Sequence, residues 1–498
     1  MIDIQKLQKN PYYIIEILAL ICGALLPLSF APYEYAWIQF PLIAYIFIVC
    51  LEQKPKVAFR RGFFFGLGWF MHGIYWLFYS LHYHGGMPVA VALITIALLS
   101  AYMSLFPAFS FYLANRYFHL SKFKMLVLVY PIGWLLFDWL RGYFLTGFPW
   151  VQIGIAQIDT YLSGYAPLIG GLGVGLVVTV VAGLLAASLF KSNLKRTIPV
   201  IVAVYFTGFL LGLINWTEAV DEPVKVSMIQ GNIPQAEKWK PKNYRPTLQM
   251  YRELTEQHWD SDLIIWPETA IPGYRGRVQY YLEELAEKAK QTNTDVMLGL
   301  FTRDSEKQRY YNSMITLDKQ TYLKRHLVPL GEYFPLRPLL GFFEKWVDIP
   351  MSDIDSGEDV QPLIKAAGQK IGLSICFEDA FDRSVLLDLP EATLLVNVSN
   401  DAWFEDSSQP WQHHQIARMR ALESGRVLLR ITNTGVSSVI DRNGDVMQML
   451  PQFKRDVLTA KVQAYKGATP YVMWANYLLI VTAMLVLIYL SRTKITKD

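Results

Sequence analysis

The sequence predicts an α/β sandwich domain inserted into a transmembrane α bundle of eight helices. Three observations lead there. Apolar segments long enough for a bilayer occupy both flanks. Most of the acidic residues gather between positions 218 and 465. Within that stretch, apolar runs of strand period alternate with amphipathic runs of helix period. A chain of 498 residues exceeds one ordinary core, so more than one domain is expected. Hydrophobic residues make up 53% and charged residues 18%, a membrane protein's balance. The net charge of +4 is small and the basic residues sit in short loops. That argues against nucleic-acid binding and for topology signals.

About 20 apolar residues cross the hydrocarbon core. Eight segments qualify: 12–31, 36–51, 62–82, 87–114, 124–141, 163–190, 197–215 and 471–491. The second is short and Pro27 interrupts the first. No small-residue cleavage site follows the first, so it reads as an anchor rather than a removable signal. The domains are therefore expected at 1–216 (seven spans), 217–466 (the inserted domain) and 467–498 (the eighth span and a tail). Lys6, Lys9, Lys54, Lys56, Arg60, Arg61, Arg116, Lys122, Lys124, Lys191, Lys195, Arg196, Arg492, Lys494 and Lys497 fall in alternate connections and the two tails. The intervening loops APYEYA (31–36) and LHYHGG (81–86) carry no Lys or Arg. The positive-inside rule then puts both termini in the cytoplasm and the inserted domain across the membrane. Arg141, at the outer end of the fifth span, is an exception that either snorkels or meets a lipid headgroup.

The inserted domain reads as follows. KVSMIQGNI (225–233) is a strand, RPTLQMYRELTEQHW (245–259) a helix, and DLIIWPET (262–269) a buried strand ending in a turn. VQYYLEELAEKAKQT (278–292) is an amphipathic helix and DVMLGLFT (295–302) a strand. YYNSMITLD, TYLKRHL, KIGLSICFE and TLLVNVSND follow, then the helix QPWQHHQIARMRALESGR and the strands LLRITNTG and VSSVID. Such alternation predicts a sandwich built on a central mixed sheet.

Three of these strands end in a reactive side chain: Glu268 after LIIWP, Lys324 in TYLKRHL, and Cys376 after IGLSI. Strand ends are where α/β folds collect their sites. Taken singly, each has a plainer reading: an acid at a helix start, a solvated lysine, a small core hydrophobe. Cys22 and Cys50 fall within spans, which leaves Cys376 as the one thiol of the inserted domain. An unpaired thiol in an oxidising space is a liability unless it is buried or used. Chemically, a carboxylate accepts the thiol's proton while an ammonium and a backbone N–H stabilise an oxyanion. The trio therefore suits acyl transfer through a thioester. No metal site and no cofactor motif is apparent; the adjacent His413 and His414 point to different faces of a helix.

WPET (266–269), KRHLVPLGEYFP (324–335) and SICFED (374–379) resemble the Glu–Lys–Cys motifs of the nitrilase superfamily. MIQGNIPQAEKW (228–239), LVPLGEYFP and VNVSNDAWF (396–404), with the expected spans, resemble its membrane branch, the apolipoprotein N-acyltransferases, over nearly the whole chain. That resemblance implies a nitrilase-like αββα sandwich. It implies Glu268 as general base, Lys324 as oxyanion stabiliser and Cys376 as nucleophile, with Glu332 positioning Lys324 or the substrate. Trp239 and Glu378 match further functional positions. Phe377 stands where the family often has tyrosine: the backbone N–H is retained, the phenol is not. Trp150, in TGFPW (146–150), matches a membrane-side gate, though interfacial tryptophans also serve as belt residues.

The implied reaction moves an acyl chain from a phospholipid donor to the α-amino group of a diacylglyceryl-cysteine at an apolipoprotein N-terminus. The implied setting is a bacterial inner membrane, with the catalytic domain periplasmic and the protein a monomer. The segment PLRPLLGFFEKWVDIPM (335–351) either dips among acyl chains as a mobile arm or packs on its own domain. The alternative activity is that of a membrane-tethered nitrilase-like amidase.

Overall fold

The computed structural model describes residues 12–190, 194–304, 306, 308–333 and 353–492. The chain forms two compact units. One comprises Met1–Tyr75, Leu93–Ile214 and Met473–Asp498; the other comprises Trp76–Ala92 and Asn215–Val472.

The first unit is helical. Its helices are α1 (Tyr12–Leu25), α2 (Gln39–Cys50), α3 (Pro55–Gly73), α4 (Val89–Tyr117, whose first turn belongs to the other unit), α5 (Tyr130–Arg141), α6 (Ala166–Ser188) and α7 (Leu194–Gly212), with a later apolar helix at Tyr477–Arg492. Among the described residues, three stretches are long and apolar enough to cross a bilayer: Val89–Tyr117, Lys122–Arg141 and Tyr161–Ser188. The shorter apolar helices have 10–17 residues. Helices α1 and α3 approach closely through Gly23 and Gly68. A Cβ there would lie 1.9 Å from the Phe65 carbonyl oxygen and 2.0 Å from that of Leu20, respectively.

Two sequence expectations change in this region. The expected third span, 62–82, ends as a helix at Gly73, and a single π-helical turn occupies Tyr79–His84. Its aromatic residues look like span material, but they pack in the second unit. Trp76 Nε1 donates to Gln412 Oε1 at 3.1 Å, its ring meets Phe404, and His84 pairs with Glu405 at 2.9 Å. Arg141 neither snorkels nor faces open surface. It is buried, its Nε donates to Asp138 at 2.9 Å, and its Nη1 donates to the carbonyls of Phe148 and Trp150 at 2.6 and 2.8 Å. Asp138, one turn earlier, supplies the counter-charge that snorkelling would otherwise have to find in water.

The second unit holds two six-stranded mixed sheets rather than a single central one. The strands are β1 (Glu218–Gln230), β2 (Leu263–Ile265), β3 (Asp295–Asp304), β4 (Arg309–Thr316), β5 (Thr321–Leu323), β6 (Ile364–Ala366), β7 (Gln369–Ile375), β8 (Leu394–Ser399), β9 (Leu428–Thr432), β10 (Ser438–Ile440), β11 (Val446–Met449) and β12 (Asp456–Lys466). The first sheet runs β12-β1-β2-β3-β4-β5 and the second β11-β10-β9-β8-β7-β6. Each has three parallel strands at its centre, β1-β2-β3 and β7-β8-β9, flanked by antiparallel ones.

Residue alternation builds the layers. Leu263 and Ile265 join a core shared with Leu373, Ile375, Val396 and Val398 of the second sheet. Ile264, between them, points the other way. It packs with Tyr251 of α8 (Pro241–Glu256) and Leu282 of α9 (Gln279–Thr292). On the far face of the second sheet, Leu395 and Leu428 meet Ala417 and Ala421 of α10 (Gln409–Ser424). The result is the αββα sandwich, with central strands buried on both faces and therefore apolar nearly throughout.

Candidate active site

Cys376 follows β7 directly and opens a short 3-10 turn, Cys376–Ala380. Its φ of +53° lies in the left-handed region, which a residue with a Cβ enters only when its surroundings enforce it. The residue as a whole remains partly exposed. Glu268 lies three residues beyond the end of β2 and is buried. The next residue, Thr269, is also left-handed, with φ +46°. Gly299 of β3 makes room for that turn, since a Cβ on it would stand 2.4 Å from the Pro267 carbonyl oxygen. Lys324 follows β5, an edge strand of the first sheet.

These strand ends bring their side chains together. Lys324 Nζ lies 2.8 Å from Glu332 Oε1 and 3.4 Å from Glu268 Oε1. Asn312 of β4 donates through Nδ2 to both carboxylates, at 2.7 Å to Glu268 and 3.0 Å to Glu332. The other Glu268 oxygen accepts from the backbone N–H of Asn400 at 2.9 Å. Cys376 lies within the electrostatic reach of both Glu268 and Lys324.

The electrostatics follow from burial and these neighbours. Desolvation pushes the Cys376 thiol up, with the Glu268 carboxylate adding to the effect and Lys324 opposing it. The thiol is therefore protonated near neutrality. Burial alone would depress the Lys324 ammonium, but Glu332 and Glu268 outweigh it and hold the charge in place.

Glu378 has a structural position at this site. It is fully buried, and burial pushes its carboxyl up to about 7. Its oxygens accept from four donors: the backbone N–H groups of Arg325, His326 (3.0 Å) and Ile375 (2.6 Å), and the Tyr322 hydroxyl (2.9 Å). It thus fastens the segment carrying Lys324, from the first sheet, to the turn carrying Cys376, from the second. The Phe377 ring is buried, 5.0 Å from that of Phe381 and 6.0 Å from the His326 imidazole. The side chain therefore serves packing here while the backbone stays at the site. Trp239 lies 5.9 Å, ring to ring, from Phe301, and its Nε1 has no hydrogen-bond partner among the described residues. Trp150 belongs to the helical unit and is buried there. The 335–351 arm lies outside the described residues.

Residues 225–471 match the carbon-nitrogen hydrolase family, and residues 22–184 match the apolipoprotein N-acyltransferase N-terminal domain. The apolipoprotein N-acyltransferase of Methylococcus capsulatus is 43% identical over 466 residues, covering 93% of this chain and 92% of that protein. Its Nitrosomonas europaea counterpart is 42% identical over 458 residues, covering 90% and 91%. That of Coxiella burnetii is 36% identical over 483 residues, covering 96% and 99%. The chain belongs to the apolipoprotein N-acyltransferase family.

In this member of the family, several polar residues surround the expected set without having been given a role at the site from the sequence. Asn312 and Asn400 hold the Glu268 carboxylate. Lys238 is buried, and its Nζ donates to Thr269 Oγ1 at 2.7 Å and to the Glu268 carbonyl at 3.4 Å. Burial lowers its ammonium to about 8, with Glu268 opposing. Asp379, Asp401, His413 and Arg430 form a fully buried cluster behind the cysteine turn. His413 and His414 have separate partners, His414 reaching Ser438 Oγ at 2.9 Å. The one available signal was position: Lys238, Asp379, Asn400 and Asp401 lie inside the family-like motifs, whereas Asn312, His413 and Arg430 do not.

Proposed function

We propose that the protein moves a fatty acyl chain from a phospholipid to the α-amino group of an apolipoprotein's N-terminal diacylglyceryl-cysteine, through a thioester on Cys376. One observation supports this reading: in a chain of this family, a buried carboxylate and a charge-locked ammonium lie 3.4 Å apart at strand ends of the first sheet, within electrostatic reach of the cysteine that ends a strand of the second.

In the first step Cys376 Sγ attacks the ester carbon of the donor lipid and Glu268 accepts the thiol proton. The carbonyl π electrons move to oxygen, where Lys324 and the Phe377 backbone N–H stabilise them. The intermediate collapses, the C–O bond breaks, and Glu268 returns the proton to the departing glycerol oxygen. A lysophospholipid leaves. In the second step the neutral α-amine of the acceptor attacks the thioester carbon. Glu268 takes the amine proton, the C–S bond breaks, the thiol is restored and an amide remains. Glu332 holds Lys324, Glu378 holds the two arms of the site in register, and Trp239 lines the approach.

The charge pattern of the loops supports cytoplasmic termini and an inserted domain on the opposite side. The reading is completed by eight spans in a bacterial inner membrane, a periplasmic catalytic domain and action as a monomer. The test is to incubate the purified protein with labelled phospholipid and search by mass spectrometry for an acyl adduct on Cys376. An adduct, lost in Cys376→Ala and discharged as N-acyl peptide on adding diacylglyceryl peptide, is expected. Ammonia release from a small amide with no adduct from phospholipid would replace this reading with the amidase.

A further inference from the structure

We infer that His413 and Asn397 are positioning residues, which aim the Phe377 backbone N–H at the acyl oxygen by gripping the Cys376 carbonyl from behind. The inference rests on the acyl-transfer reading above. His413 Nε2 lies 3.1 Å from the Cys376 carbonyl oxygen, and Asn397 Nδ2 donates to the same oxygen at 3.2 Å. A trans peptide is planar and sends its C=O and the following N–H in opposite directions. Fixing the Cys376 oxygen therefore fixes the direction of the Phe377 N–H. Oxyanion donors work by alignment: they must already point to where negative charge will develop.

The two gripping side chains are themselves held rigidly. Asn397 is fully buried; its Nδ2 also donates to Ser374 Oγ at 2.9 Å, and its Oδ1 accepts from Arg430. His413 is fully buried between two carboxylates, with Nε2 2.7 Å from Asp379 Oδ1 and Nδ1 3.3 Å from Asp401 Oδ1. Arg430 closes the ring, 3.1 Å from Asp401 and 3.5 Å from Asp379. Burial and Arg430 would lower the His413 imidazole, but Asp379 and Asp401, facing its two ring nitrogens, outweigh them and raise it above its ordinary value. Such a fully buried ring of partners restrains the His413 imidazole. It also accounts for the left-handed Cys376, whose strained φ needs a backbone anchor.

The experiment separates oxyanion alignment from plain structural support. Two rates are measured at Cys376 in the purified full-length protein: acylation by labelled phospholipid and alkylation by iodoacetamide. Both reactions use the thiol and its base, but alkylation displaces iodide and builds no charge on a carbonyl oxygen. Asn397→Asp keeps the shape and the acceptor for Arg430 while turning the donor that faces Cys376 into an acceptor. His413→Gln removes the imidazole that reaches the Cys376 carbonyl oxygen. In both variants acylation is expected to fall on the order of 100-fold, the typical effect of losing one oxyanion donor, with alkylation changed less than about threefold. An equal fall in both rates, or unchanged acylation, overturns the inference. Should His413→Gln not fold, the Asn397→Asp ratio decides alone. Wild-type protein that is alkylated yet forms no acyl adduct overturns the acyl-transfer reading itself, and the inference with it. A wild-type adduct with unchanged variant ratios overturns only the inference.

Discussion

At the scale of single residues, the environment of Cys376 dictates the division of labour. Its thiol is pushed up by desolvation and by Glu268, so it is a poor nucleophile until its proton leaves. Glu268→Gln keeps the hydrogen-bonding shape but cannot take that proton. Its rate of Cys376 acylation, followed by intact-mass spectrometry, is expected to fall about 10²–10⁴-fold. Lys238 gives a pH signature. Its ammonium is lowered to about 8 from an ordinary value of 10.5. Between those values the unfolded chain holds more protons than the folded one, so stability rises with pH across that window. Thermal unfolding from about pH 8 to 10.5 should show this as a difference, the wild type gaining stability relative to Lys238→Met as pH rises. Glu268, Lys324 and Cys376 were legible because each ends an apolar strand run. Asn400 was not, because its partner Glu268 is 132 residues away and no local pattern links them. Lys238 sits inside a quoted motif, yet only folding shows that its ammonium ends beside Thr269.

At the scale of elements, β1 to β5 and β7 to β10 stand where apolar period and turn residues put them. The three strands not read, β6, β11 and β12, have different reasons. β6 is an edge strand of three residues with a lysine at its centre, and β11 is an edge strand exposed along its length, so neither sits in a buried apolar run. β12 alternates buried with less buried residues, so its strand period is written locally even though it was not read there; only its pairing with β1, more than 200 positions earlier, leaves no local trace. The end of the expected third span misleads for a related reason. Trp76 and its aromatic neighbours look like bilayer material, while their partners are Gln412 and Phe404. Glu378 is the element-level joint of the site, since its carboxylate ties Tyr322, Arg325 and His326 to Ile375. Glu378→Ala strands buried donors that each cost about 1–3 kcal/mol. Loss of about 3 kcal/mol or more in denaturant unfolding is expected, with acylation lost as Lys324 and Cys376 drift apart. A variant of unchanged stability and activity would refute that role.

At the scale of the whole molecule, the charge pattern makes a topological prediction. In a Cys376→Ala background, a cysteine at the exposed Val360 should react with an impermeant maleimide on intact bacterial spheroplasts. One at the exposed Lys54 should react only after lysis. Reversed labelling would invert the assigned orientation. By itself, the sequence determined the class of chain, the alternation that makes a sandwich, and the reactive side chains at its strand ends. All of these are written locally, in hydropathy, period and short motifs. Only the tertiary structure decided the order of strands within the two sheets, that Arg141 is buried against Asp138, and that Asn312 holds Glu268 while Asn397 and His413 stand behind the cysteine turn. Those facts depend on contacts between distant segments. A hydrogen bond or ion pair across such a separation leaves no periodic trace in the chain, because its partners meet only once the sheets have packed.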